Sequence, residues 1–258
     1  MFIGVHHSWG ALDLETNRLK SRLLADYDHF IALVRSLLRE APEAVRSEVE
    51  SSDDEIRAII DQTHLTWHAT PDEALSSASK HFEQLLQFVN HLYDSSEGSW
   101  LFVPDTNALL YNPALERWSF ADVPRFEIIL VPTVLSELDQ QKVNHRNPEI
   151  RERAESLVRR IKEFRSRGAR SGGGNLTTGV PLVKNTSSIR AIAREPVVED
   201  SLPWLDPSNS DDRLLASVIE VMRHHPRSSV VLVTRDLSLQ NKAEFARLAF
   251  LEPPEPLK

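Results

Sequence analysis

The feature that most constrains this chain is the alternation, after residue 98, of short apolar runs with segments of helical periodicity. The runs lie at residues 100–103, 126–131, 180–183, 189–193 and 230–234, and the helical patterns at 107–111, 133–167 and 211–224. Strands that alternate with helices are typical of a mostly parallel sheet covered by helices on both faces. The sequence therefore predicts an α/β fold for this part of the chain.

The first 95 residues carry helical patterns only. Apolar residues recur at three- and four-residue steps over residues 14–39, a capping box at 52–55 predicts the start of a second helix, and a third is expected to begin at Thr70. The small and polar residues 95–99 separate the two patterns. We therefore predict two domains, an all-α domain over 1–95 and an α/β domain over 98–258.

Charge is distributed unevenly along the chain. The net charge is −8, and residues 1–95 hold all of it, with eight Lys and Arg against sixteen Asp and Glu. Residues 142–170 instead carry ten basic residues against four acids, a local excess that suits a polyanion. Five of these side chains are candidate nucleic-acid contacts: Arg159, Arg160, Lys162, Arg165 and Arg167. The alternative is an ordinary solvated helix with ion pairs between successive turns.

Two absences narrow the possible chemistry. The chain has no cysteine, which excludes disulfides, thiolate catalysis and cysteine-ligated metal centres. No apolar run approaches the roughly 20 residues that cross a bilayer. We therefore expect a cytoplasmic protein without a membrane segment.

Acidic residues stand where parallel strands are expected to end. Asp105 directly follows the run at 100–104, and Asp236 lies two residues past the run at 230–234. Ligand sites of open α/β sheets form beyond the carboxyl ends of the strands. Glu137 is expected on the first turn of the helix after the strand at 126–131, and Asp212 opens the helix at 211–224. Clustered carboxylates are the oxygen ligands that Mg²⁺ and Mn²⁺ prefer, although each acid alone could instead cap a helix or answer its dipole.

Four motifs in order resemble those of the PIN-domain nucleases. They are residues 103–107 (VPDTN), 132–138 (PTVLSEL), 211–215 (DDRLL) and 233–243 (VTRDLSLQNKA). The resemblance is closest to the longer bacterial PIN domains, covers about residues 98–252, and says nothing about residues 1–95. An apolar run followed by Asp is common in proteins, whereas the four motifs in this order are specific.

The resemblance implies roles for particular residues. It implies that one or two divalent cations, Mg²⁺ or Mn²⁺, are bound by four catalytic acids: Asp105, Glu137, Asp212 and Asp236. It implies that two polar residues support the site: Asn107 and Thr234. Asp211 and Asp139 stand beside Asp212 and Glu137 and stay open as alternatives to them.

The resemblance also implies an activity, the hydrolysis of phosphodiester bonds by an endoribonuclease that acts on single-stranded RNA. Two alternatives stay open. One is a structure-specific nuclease for flapped DNA, because the same carboxylate site serves both substrates. The other is a PIN module that binds nucleic acid or protein with negligible turnover. The acidic helical domain could bind a protein partner, form a homodimer or occlude the site.

Overall fold

The computed structural model describes residues 13–61, 70–92, 98–171 and 175–256. Contacts within the chain divide it into two compact units, residues 1–93 and 94–258. In the described ranges, no helix is both long enough and apolar enough to span a membrane.

Residues 13–61 and 70–92 of the first unit form three helices, α1 (Leu14–Leu37), α2 (Glu43–Asp61) and α3 (Pro71–Leu92). Their buried apolar side chains form one core: Tyr27, Ile31, Val34, Leu38, Val49, Ile56 and Leu85. The predicted start of the third helix at Thr70 is confirmed, since the Thr70 hydroxyl accepts the backbone N–H of Glu73 at 3.2 Å. This helical region matches the predicted all-α character of the amino-terminal part.

The predicted start of the second helix is wrong. Helix α2 begins at Glu43, because the carbonyl of Pro42 accepts the N–H groups of Val45 and Arg46 and so opens the helix there. The supposed capping box therefore lies inside the helix. Asp53 in that segment is buried. Its carboxylate accepts a hydrogen bond of 2.6 Å from the guanidinium of Arg35 instead of capping backbone N–H groups.

The second unit contains a six-stranded sheet in the order β3-β4-β2-β1-β5-β6. The strands are β1 (Trp100–Pro104), β2 (Phe126–Leu130), β3 (Val180–Val183), β4 (Ser187–Ala191), β5 (Ser229–Val233) and β6 (Phe250–Leu251). All neighbouring pairs are parallel except β3 with β4. The predicted α/β fold with a mostly parallel sheet is confirmed.

The helices of this unit are α4 (Thr106–Tyr111), α5 (Pro132–Asn144), α6 (Pro148–Ser171), α7 (Ser210–His224) and α8 (Leu237–Phe245). The three central strands β1, β2 and β5 are almost fully buried, and Phe102, Ile128 and Leu232 expose none of their surface. Burial on both faces explains why these strands appear in the sequence as continuous apolar runs.

The single long helix predicted over residues 133–167 is instead two helices, α5 and α6. Asn147 begins the second one, since its side-chain oxygen accepts the N–H of Glu149 at 2.9 Å. Pro148 occupies the first helical position, where its missing N–H leaves no hydrogen bond unmade. The Asn-Pro pair therefore starts α6, three residues after α5 ends at Asn144.

Candidate active site

The acids predicted for the site are brought to one edge of the sheet by its parallel strands. Strands β1, β2 and β5 run in the same direction, and each is followed within four residues by a helix: α4, α5 and α8. A cleft of about 40 Å³ lies at this edge, lined by four carboxylates: Asp105, Glu137, Asp211 and Asp236. It has room for a few waters or ions. We call it the acid cleft.

Asp105 lies deepest in the acid cleft and exposes 5% of its surface. Its carboxylate caps α4 by accepting the N–H of Ala108 and also accepts the hydroxyl of Thr234. The pKa of Asp105 is raised to about 6, mainly by burial and in smaller part by the charges of Asp236 and Glu137, while these two hydrogen bonds oppose the increase. A cation bound beside Asp105 would therefore stabilise its ionised form.

Asp236 is the cap of α8. One carboxylate oxygen, Oδ1, accepts the N–H groups of Ser238 at 2.8 Å and Leu239 at 3.2 Å. Both bonds end on that oxygen, so the other, Oδ2, lies outside the cap. The capping role that the sequence left as an alternative for Asp105 and Asp236 is real, and it coexists with their position in the acid cleft.

Glu137 lies on the second turn of α5, so its expected place on the first turn is wrong. Helix α5 begins at Pro132, which makes Glu137 its sixth residue. Its Oε2 accepts the hydroxyl of Thr106 at 2.6 Å. Thr106 was not singled out in the sequence, although its place between Asp105 and Asn107 in the first motif was a usable signal.

Asp211 and Asp212 occupy different surroundings. Asp211 lines the acid cleft, whereas Asp212 is buried beside it, with Lys242 Nζ at 2.7 Å from Oδ1 and the N–H of Asp206 at 3.0 Å from Oδ2. Lys242 is also 3.7 Å from Asp211. Burial raises the pKa of Asp211, and the charges of Asp236 and Glu137 add to this while Lys242 opposes it. The alternative acid Asp211, rather than Asp212, therefore joins the other three in the cleft.

The two predicted supporting residues differ in their contacts. Thr234 is fully buried and links two acids, because its hydroxyl donates to Asp105 and accepts the N–H of Asp236 at 3.0 Å. Asn107 lines the acid cleft and is exposed. The other open alternative, Asp139, lies outside the cleft with 62% of its side chain exposed and forms an ion pair with Lys142.

The five basic candidates all lie on α6, which packs against α4, α5 and β3. Two of them serve the fold, since Arg160 forms a 2.9 Å ion pair with Glu116 and Arg167 donates to the carbonyl of Pro181 at 2.7 Å. The other three are exposed: Arg159, Lys162 and Arg165. These three remain available to a ligand from solvent.

The acid cleft suits a hard divalent cation by its chemistry. All four side chains that line it with charge are carboxylates, the ligands that Mg²⁺ and Mn²⁺ prefer. Two of them, Asp105 and Asp211, have pKa values raised by burial and by their acidic neighbours, a repulsion that a cation would relieve. As they stand, no three acidic or histidine side chains in the described ranges are grouped closely enough to enclose an ion.

A comparison with known families agrees with these motifs. A family model described as PIN domain matches residues 102–251, which is more than half of the chain. Among curated proteins, none matches the chain. The match extends from β1 to β6 and so includes every element that lines the acid cleft.

The raised pKa of Asp105 predicts how stability depends on pH without metal. The pKa of Asp105 is about 6 in the folded protein and 3.8 in an ordinary aspartate, so the folded state binds this proton more tightly than the unfolded state does. The stability that protonated Asp105 contributes is therefore fully present below about pH 4 and is lost as the pH rises through 6. Asp105→Asn removes this dependence. In chelator, the free energy of unfolding of Asp105→Asn minus that of wild type should therefore increase by about 3 kcal/mol between acidic and neutral pH.

Urea denaturation of both proteins across this pH range measures the difference. Equal pH dependence of the two proteins would show that Asp105 titrates normally in the folded state.

The contrast between Asp211 and Asp212 predicts opposite effects of the same substitution. In chelator, Asp211→Asn should melt at or above the wild-type temperature, because it relieves repulsion in the cleft. Asp212→Asn should lose about 1–3 kcal/mol, because a buried charged hydrogen bond to Lys242 is weakened. Added Mn²⁺ should stabilise wild type and Asp212→Asn but have much less effect on Asp211→Asn.

Thermal melts of the three proteins with and without Mn²⁺ provide this comparison. If Asp212→Asn loses the response to Mn²⁺ and Asp211→Asn keeps it, the metal ligand is Asp212.

Proposed function

This chain belongs to the PIN-domain family, whose members are generally nucleases, and on that basis we propose that it is a divalent-metal-dependent endoribonuclease that hydrolyses phosphodiester bonds in single-stranded RNA. The observation that carries the proposal is the acid cleft, which Asp105, Glu137, Asp211 and Asp236 line at the carboxyl edge of the sheet. A nuclease type of activity follows from the family. The metal, the RNA substrate and the residue roles are our proposal.

The metal in this proposal is Mg²⁺ or Mn²⁺, held by Asp105, Asp236 and Glu137 together with Asp211, or with Asp212 after Lys242 moves away. When bound, such a cation lowers the pKa of water and offsets charge on the phosphorus oxygens. Two of the lining carboxylates favour this ion most clearly, because burial and the charges of neighbouring acids disfavour the charged state of Asp105 and of Asp211 without it.

The chain's own residues prepare the acids for this role. Thr234 orients Asp105 and, through the backbone, Asp236, while Thr106 orients Glu137. Three apolar side chains also line the acid cleft: Val134, Leu214 and Leu239. They lower the local polarity, so the attraction between the carboxylates and a cation is screened less than in open water.

Two surfaces are proposed to serve substrate and partners. On α6, the exposed Arg159, Lys162 and Arg165 are proposed to contact RNA phosphates. In the helical unit, four leucines expose between 51% and 69% of their surface: Leu14, Leu19, Leu23 and Leu75. Such exposure supports the proposal that this unit binds a second copy of the chain or another protein, in a cytoplasmic setting.

The proposed activity is tested by incubating labelled single-stranded RNA and flapped DNA with the protein in Mn²⁺ and in chelator. RNA should be cleaved in Mn²⁺ only, and Asp105→Asn should abolish cleavage because it removes a charged ligand from the centre of the cleft. Asp139→Asn is the matched control, since it removes an exposed acid of α5 outside the cleft and should leave the rate unchanged.

Each result distinguishes one alternative. Cleavage of flapped DNA but not RNA would identify a structure-specific DNA nuclease, and binding of either nucleic acid without turnover would identify a binding module. RNA cleavage at the wild-type rate by folded Asp105→Asn would contradict the assigned site.

The role of α6 predicts a change in salt dependence. Replacing Arg159, Lys162 and Arg165 together with Gln should weaken binding to single-stranded RNA and reduce the salt slope by up to about 2, since each phosphate contact contributes about 0.7. Arg160→Gln is the control, because its guanidinium is already held by Glu116. An unchanged slope in the triple variant would identify α6 as a solvated face.

A further inference from the structure

Arg235 and Tyr111 form a stacked pair at the carboxyl edge of the sheet. The guanidinium of Arg235 lies over the ring of Tyr111, 3.9 Å from its centroid. Arg235 immediately precedes Asp236, and Tyr111 ends helix α4, which Asp105 caps. Helix α4 has six residues, so Tyr111 lies about 9 Å along the helix from Asp105. Each residue of the pair is therefore close in sequence to one acid of the cleft, Arg235 to Asp236 and Tyr111 to Asp105.

The stacking leaves the hydrogen-bonding edge of Arg235 accessible. A guanidinium that lies flat on an aromatic ring uses its face and keeps its N–H donors in the plane for other partners. In the described part of the chain, its ion pair is with Glu252 at 3.7 Å, longer than a hydrogen bond, and both side chains are largely exposed, at 43% and 63%. Exposed pairs of this kind contribute little to stability, so an anion from solvent can replace Glu252.

The ring on which Arg235 lies is held by contacts with the segment after β6. The hydroxyl of Tyr111 donates to the carboxylate of Glu255, and the side-chain amide of Asn112 donates to the carbonyl of Pro254 at 2.9 Å. The segment after β6 thus holds the end of α4 and with it the ring on which Arg235 rests. Stacking on a held ring restricts the guanidinium of Arg235, and such restriction lowers the entropy lost when a ligand binds.

An anionic substrate needs such a cation beside the acid cleft. Four carboxylates line the cleft, and Lys242, the basic residue closest to them in the described structure, is bound to Asp212. A divalent ion would offset the carboxylates locally, but the phosphates on either side of the reacting one would still face negative charge. Arg235 supplies a positive charge with a fork of donors that matches a phosphate.

We propose that Arg235, stacked on Tyr111, is a phosphate-binding subsite for the nucleotide strand next to the acid cleft. This proposal rests on the proposed nuclease function and gives a substrate-positioning role to Arg235, which lies within the fourth motif but has no role implied by the resemblance. The bound group is a phosphodiester of the strand, and its oxygens replace Glu252 at the edge of the guanidinium. Arg235 takes no part in the bond-breaking step.

The test compares Arg235→Gln with Arg227→Gln. Both arginines are exposed and flank the same strand, β5, but Arg227 precedes it and therefore lies at the opposite edge of the sheet. Binding of a short labelled oligouridylate to the full chain is measured at several salt concentrations, with Ca²⁺ in place of Mn²⁺. Arg235→Gln should bind about tenfold more weakly, with a salt slope smaller by about 0.7, and Arg227→Gln should behave as wild type.

Two further variants separate binding from a structural role. Arg235→Lys should restore the salt slope and only part of the affinity, because lysine keeps the charge but neither stacks nor forms a fork. Tyr111→Leu should weaken binding while leaving the slope unchanged, because Arg235 keeps its charge without its support. In Mn²⁺, Arg235→Gln should raise KM with little change in kcat, which a loss of folding would not do.

The outcomes separate the subsite from the proposed function. If wild type cleaves the oligouridylate and Arg235→Gln matches Arg227→Gln in affinity and salt slope, the subsite is wrong and the nuclease proposal stands. If wild type neither binds nor cleaves the strand, the nuclease proposal fails and the subsite fails with it.

Discussion

The hydroxyl of Thr234 is the contact on which the geometry of the acid cleft depends. It donates to the carboxylate of Asp105 and accepts the N–H of Asp236, and it is fully buried, so water cannot replace it. The contact exists because β1 and β5 are parallel neighbours in a register that pairs Pro104 with Val233, and because the N–H of Asp105 continues this pairing to the carbonyl of Val233 at 3.0 Å. Two acids 131 positions apart in sequence are thereby held together by backbone pairing.

The same arrangement concentrates negative charge in the acid cleft. Caps and hydroxyl donors satisfy part of the hydrogen-bonding capacity of Asp105, Glu137 and Asp236, yet burial still raises the pKa of Asp105, and it also raises the pKa of Asp211. Lys242 on α8 offsets part of this negative charge, and its ammonium group donates a hydrogen bond to Asp212. The divalent cation that we propose would offset the remaining negative charge, which links the stability of the site without metal to the chemistry proposed for it.

Much of this was predictable from sequence, for identifiable reasons. The buried strands and the acids after them follow from apolar runs that end in Asp, so the α/β fold and the positions of Asp105 and Asp236 were accessible. The choice between Asp211 and Asp212 was not, because both occupy the first turn of α7 and the deciding partner, Lys242, lies 30 residues away in sequence. The start of α2 was obscured by a capping box whose Asp53 is instead buried against Arg35, a contact between helices that no local pattern reveals. The break between α5 and α6 could have been predicted from Asn147 and Pro148, because Asn is a favoured helix cap and Pro is favoured at the first helical position.

Anomalous diffraction from crystals grown with Mn²⁺ would locate the divalent cation that we propose for the acid cleft. This proposal predicts one or two anomalous peaks in the cleft, with carboxylate oxygens of Asp105 and Asp236 among the ligands and Asp211 closer to the ion than Asp212. Manganese–oxygen distances should fall near 2.1 Å, roughly those of a small hard cation. Peaks confined to other acidic positions, with the cleft holding water alone, would contradict it.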